Sequence, residues 1–171
     1  MQQQNIIKTS MSYGLILGLI FSVNFYLSIT RNFILSLLSY AVMLAILVLI
    51  YKISVRFRDK DCGGYISYSK SFSFLLLIFF FGSIISTFIK YIYFQYINPT
   101  YLESLLSDTL SVMEFVRFPL TEEMHGKIQE MLTPFVFSLQ SFWINMLLAC
   151  IIGVFMGFFV KKEKGIGDIE S

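Results

Sequence analysis

The sequence predicts an all-α integral membrane protein, a four-helix bundle with an amphipathic helical extracytoplasmic insert. Three observations lead there. Of its 171 residues 56% are hydrophobic and only 14% charged, against about 45–50% apolar and about 25% charged in ordinary soluble domains. The apolar residues stand in long uncharged runs rather than at amphipathic spacing. Four of these runs approach the roughly 20 residues that a helix needs to cross about 30 Å of hydrocarbon at 1.5 Å per residue. The length allows one domain, residues 1–171, whose backbone polar groups inside the bilayer must pair internally.

The first span covers about 12–29 and the second about 33–51, with only Thr30, Arg31 and Asn32 between them, a tight hairpin turn. The third, about 71–97, is uncharged to Ile89, meets Lys90, and continues through Tyr91, Tyr93 and Tyr96 before Asn98-Pro99 stops it. The fourth, about 134–160, follows Thr133, a suitable N-cap, and Pro134, which fits a first helical turn because its missing N–H is not needed there. Between the third and fourth spans lies the insert, 99–132. Tyr101, Leu102, Leu105, Leu106, Leu110, Met113 and Val116 recur at helical spacing opposite Glu103, Ser107, Ser111 and Glu114, and Phe118-Pro119 breaks the pattern. Thr121, Glu122 and Glu123 then read as an N-cap with first-turn carboxylates for a short second helix reaching about Leu132.

Charge sets the expected orientation. Nine of the thirteen cations (Lys8; Lys52, Arg56, Arg58, Lys60 and Lys70; Lys161, Lys162 and Lys164) fall on one side, and Arg31, Arg117 and Lys127 on the other. This places both termini and the 52–70 loop in the cytoplasm and predicts a multi-pass protein of the cell inner membrane. The first run is longer than the core of a signal peptide and lacks an Ala-x-Ala-like cleavage site, so it is expected to be retained. No lipidation motif is visible. Cys62 in the loop and Cys150 within the fourth span would lie too far apart in depth to bridge, and neither belongs to a CxxC pair. The insert carries six acids and two cations, which argues against nucleic acid. Its apolar side is expected to rest on the bundle or the headgroups, with partner docking or cation gathering the sharper alternative.

Other features bear on chemistry. Gly63-Gly64 could cradle phosphate, but without a preceding strand or a Gly-Lys-Ser continuation it reads as a turn. Lys90 is the one charge inside an apolar run; it could bind an anion, yet it stands near enough to Asn98 for its stem to carry the ammonium to the interface. Small residues repeat every fourth position: Ser10, Gly14, Gly18 and Ser22; Gly82 and Ser86, followed by Lys90; and Ser141, Asn145, Ala149, Gly153 and Gly157. Such stripes bring helix backbones together, here within the bundle, with self-association through Gly153 and Gly157 as the alternative. Asn24 and Asn145 are expected to find partners in the bundle. His125 is the only histidine, Glu122 and Glu123 open a helix, and no catalytic, cofactor-binding or metal-binding constellation emerges.

Taken together, Tyr13-Gly14-Leu15 with Gly18, the basic loop leading into Gly63-Gly64-Tyr65-Ile66-Ser67-Tyr68 and Ser71-Phe72, Tyr91-Ile92-Tyr93, and Ile97-Asn98-Pro99 before the acidic insert resemble the bacterial family catalogued as domain of unknown function 4199, over about residues 6 to 162. The resemblance implies a four-span inner-membrane protein of unassigned activity and transfers no site residues. The expected function is that of a non-enzymatic structural or accessory membrane protein without cofactors, acting through helix or insert contacts. Its expected partners are the lipid bilayer and either copies of itself or another membrane protein. A homo-oligomeric small-solute or ion permeation protein is the alternative, and a lipid-modifying enzyme stands third.

Overall fold

The computed structural model describes residues 2–30 and 32–162; Arg31 and Lys164, both used in the charge count, lie outside the described residues. The described chain is all-α: α1 (Gln2–Ile29), α2 (Phe33–Asp61), α3 (Tyr68–Ile92), a π-helical turn (Tyr93–Ile97), α4 (Thr100–Phe115), α5 (Glu122–Met131) and α6 (Pro134–Val160). Four segments, Ile6–Ile29, Phe33–Asp61, Tyr68–Ile97 and Pro134–Val160, are long and apolar enough to cross a membrane. This is a multi-pass membrane protein.

The turn between α1 and α2 is closed by Asn32, whose Oδ1 accepts from the backbone N–H groups of Ile34 at 2.9 Å and Leu35 at 3.4 Å. Two orphan donors of the helix start are thereby satisfied. The expected 52–70 loop is much shorter than its charges suggested, because α2 continues to Asp61. Ile46, Ile50, Ile53, Ser54 and Phe57 form one continuous buried face, so packing carries the helix past the end of its uncharged stretch. It stops at Gly63 and Gly64, whose φ values of 69° and 87° are left-handed and suit glycine.

The chain divides into two compact units, one drawn from 1–86 and 144–171, the other from 87–143. In the first, the core comprises Leu17, Ile50, Phe57, Phe74, Ile78 and Phe79 with their neighbours. The rings of Phe57 and Phe74 stack at 3.8 Å and 9°, joining α2 to α3. Large apolar side chains also cover the outside, Phe33, Ile34, Leu44, Leu147, Phe155 and Phe159 among them. Among the described residues of both units, the polar residues buried as a whole are all serines, from Ser10 to Ser138. That distribution suits a lipid solvent, which rewards close approach through small residues and gives no reason to hide apolar ones.

In the second unit Phe94 is fully buried and meets the rings of Tyr101 at 5.6 Å and Phe137 at 5.3 Å. The π-helical turn replaces the last α-helical turn expected of the third span, closing with a bond from the Asn98 N–H to the Tyr93 carbonyl at 2.8 Å. In α4, Leu102 is buried and Tyr101, Leu105, Leu106, Leu110 and Met113 are partly buried, as the stripe predicted, whereas Val116 is exposed at the C-cap. The helix ends before Phe118-Pro119 is reached. Phe118 N–H donates to the Met113 carbonyl and Arg117 N–H to that of Glu114, both at 2.9 Å, with Arg117 at φ 53°. This is a Schellman ending with arginine where glycine is usual. Thr121 caps α5 as expected, its Oγ1 accepting from Met124 N–H at 3.3 Å. Thr133 does not cap α6 with its side chain; its hydroxyl donates to the Glu130 carbonyl at 2.9 Å and closes α5 instead.

Candidate functional site

The most elaborately tied part of the first unit is the end where α2 and α6 finish. Arg58, in the last turn of α2, donates from Nε to Asp59 at 2.8 Å and from a guanidinium nitrogen to the Val160 carbonyl at 3.3 Å. Val160 is the last residue of α6, so its carbonyl has no partner within the helix. A cation is favoured there by the helix dipole as well as by the hydrogen bond. Just beyond, Ile66 and Lys162 exchange two backbone hydrogen bonds, at 2.9 and 3.0 Å, in an isolated antiparallel bridge. The Lys162 ammonium lies 5.4 Å from the centre of the Tyr65 ring, within cation–π range. These contacts join the last turn of α2 and the 62–67 turn to the end of α6, and they bring Arg58 and Lys162 to the same end of the unit.

Gly63-Gly64 is a turn and not a phosphate cradle in this arrangement. The Gly64 N–H already donates to the Arg58 carbonyl at 3.0 Å, which removes one of the amides an anion nest would need.

The small-residue stripes have two different uses. On α1 they let backbones touch: a Cβ placed on Gly14 would lie 2.6 Å from Phe81 Cβ, and one on Gly18 only 2.7 Å from the Gly82 carbonyl oxygen. Gly82 faces them in turn, its would-be Cβ 3.1 Å from the Gly14 carbonyl oxygen. On α6 the glycines receive aromatic rings. Gly153 faces Phe72 and Gly157 faces Tyr68, with would-be Cβ distances of 2.9 and 2.7 Å to ring carbons. Tyr68 also donates from its hydroxyl to the Val154 carbonyl at 3.5 Å. Both stripes thus serve packing within the first unit.

A family model described as protein of unknown function (DUF4199) matches residues 12–162. The chain belongs to this family. Neither the curated proteins nor the solved structures provide a match to it.

For this DUF4199 protein the residues singled out in the sequence are dispersed. Lys90 is partly buried near the end of α3 and His125 partly buried on α5; Glu122 and Glu123 are exposed at the start of α5, where Glu123 pairs with Lys127 at 2.6 Å. Cys62 and Cys150 are free thiols. The expectation for the two asparagines needs correction: Asn24 Oδ1 and Asn145 Nδ2 are buried without a hydrogen-bond partner. Nearby helix backbones offer few free groups, because their donors and acceptors are engaged in their own i→i−4 bonds. Sequence reasoning missed the Arg58 clamp and the Ile66–Lys162 bridge. The only signal for the clamp was an arginine in a last helical turn.

Proposed function

We propose that this DUF4199 protein is a non-enzymatic accessory protein of a cell inner membrane, with both termini cytoplasmic, that docks a membrane-protein partner through the α4–α5 segment. One observation carries the docking reading. Val112, Phe115, Val116, Phe118 and Leu120, around the end of α4, are all exposed, Phe115 by 88%. They lie outside the four candidate spans, so the lipid core does not account for them. The acidic balance of the segment disfavours charge-driven adhesion to anionic lipid. The orientation is supported by the gathering of Arg58, Tyr65 and Lys162 with their basic neighbours at the joined ends of α2 and α6.

The test is mild extraction from native membrane, with the intact assembly weighed and its components identified by mass spectrometry. A stoichiometric foreign protein that is lost on combined Phe115→Ser and Phe118→Ser substitution is expected. A pure homo-oligomer that survives those changes refutes partner docking and directs effort to flux assays for permeation. Orientation is tested separately: an impermeant maleimide should reach Cys62 only after cells are opened.

A further inference from the structure

Between α1 and α2 the first unit leaves an open groove of about 330 Å³, lined by Ile20 of α1 and by Val42, Ala45, Val48, Leu49 and Lys52 of α2. Its volume is at the lower end of the range for ligand clefts. From Val42 to Lys52 the helix rises about 15 Å, half of a hydrocarbon core about 30 Å thick. The groove therefore has the depth of a single leaflet. Its lining is apolar until Lys52, and Arg56 stands one helical turn further along the same face, both cations exposed. Ala45 is the smallest side chain in the lining, and Val48 and Leu49 lead from it towards Lys52.

We propose that this groove binds an anionic phospholipid, with one acyl chain along Ile20, Val42, Ala45, Val48 and Leu49 and the headgroup phosphate at Lys52 and Arg56. Charge complementarity selects this occupant. An apolar track of one-leaflet length ending in two cations matches a chain with a negative head, whereas a partner helix would need a track running through both leaflets. Lipid-facing apolar surface alone holds any lipid equally; the paired cations at headgroup depth are what discriminate. The proposal is independent of the docking reading, since it concerns α1 and α2 only.

The full chain, purified in mild detergent, is titrated with phosphatidylglycerol or phosphatidylcholine bearing the same acyl chains, and bound lipid is counted by native mass spectrometry. Phosphatidylglycerol should bind about tenfold more tightly or better, as expected for two cations near a headgroup. Combined Lys52→Gln and Arg56→Gln substitution should erase that preference, and Ala45→Trp, which fills the groove, should abolish retention of both lipids. Leu37→Trp, on an exposed residue away from the groove lining, controls for bulk alone. Equal binding of the two lipids, or a preference that survives loss of both cations, overturns the proposal. So does full retention in Ala45→Trp, and so does displacement by glycerol phosphate, which would mark a headgroup site with no role for the chain.

Discussion

Replacing Gly18 by alanine tests how α1 and α3 are held together. The added Cβ would stand 2.7 Å from the Gly82 carbonyl oxygen and 2.9 Å from Ile85 Cβ, while carbon and carbonyl oxygen settle at about 3.3–3.6 Å even in favourable contacts. Backbone cannot rotate aside, so the helices must part by about 0.6 Å. A gap of that size forfeits about a quarter of each dispersion well, and a buried leucine makes roughly 40–60 contacts worth about 0.1–0.2 kcal/mol each. Leu17, fully buried beside the crossing, then loses about 2 kcal/mol. Alanine returns about 1 kcal/mol through helix propensity. With the neighbouring contacts included, the net loss is expected at about 1–3 kcal/mol, the usual range for overpacking. Gly153→Ala is the matched control, because its Cβ would meet only the ring edge of Phe72 at 2.9 Å. That ring can turn, so the change is expected to be neutral or stabilising by up to about 1 kcal/mol. Thermal unfolding in mild detergent, followed by far-ultraviolet circular dichroism, should place Gly18→Ala below the wild type and Gly153→Ala at or above it. A Gly18→Ala protein as stable as the wild type, or less affected than Gly153→Ala, would refute the backbone-contact argument.

Three further outcomes follow from the described geometry. Arg117 holds a left-handed φ of 53° in the Schellman ending of α4, so Arg117→Gly should exceed Arg117→Ala in stability by about 1 kcal/mol; amide exchange in the last turn of α4 measures this, and equal protection in the two variants counts against it. Arg58→Met removes the bond to the Val160 carbonyl but keeps the aliphatic stem; a loss of about 1 kcal/mol is expected, with faster exchange at Lys161 and Lys162. Asp59→Asn should leave the unfolding midpoint close to that of the wild type, because Asp59 is half exposed and its ion pair is screened by solvent, and an equal effect in both variants would assign the role to the ion pair instead. Asn32→Ala deprives Ile34 and Leu35 of their acceptor and should cost about 1 kcal/mol in thermal unfolding; an unchanged midpoint would mean that the turn holds without its cap.

The candidate sites were legible to unequal degrees. The exposed apolar group around Phe115 was only half visible, since the periodicity of 101–116 assigned Val116 to the buried stripe, whereas the Schellman ending turns it out. The lipid groove was not visible at all. Ala45, Val48, Leu49 and Lys52 are spaced as on any membrane helix, and the hollow arises from how Ile20 of α1 stands beside them. Asn24 and Asn145 illustrate the converse: polar type predicted a partner for each, and the helices around them supply none to the buried Asn24 Oδ1 and Asn145 Nδ2.

The sequence by itself determined the four spans, the two helices of the insert with the Thr121 cap of the second, and membership in the family. The family rests on particular motifs; the spans and helices rest on quantities that add along the chain, namely apolar length, charge count, and the propensity of Thr121 or Pro134 for a helix start. It also determined where helices could approach, through Gly14, Gly18, Gly82, Gly153 and Gly157. Which surface meets each glycine was decided only in three dimensions. Gly18 meets backbone and Gly153 meets a ring, and α2 runs on to Asp61 because Phe57 stacks on Phe74. Such choices depend on side-chain direction and on contacts between residues far apart in sequence, and no sum over neighbouring positions contains them.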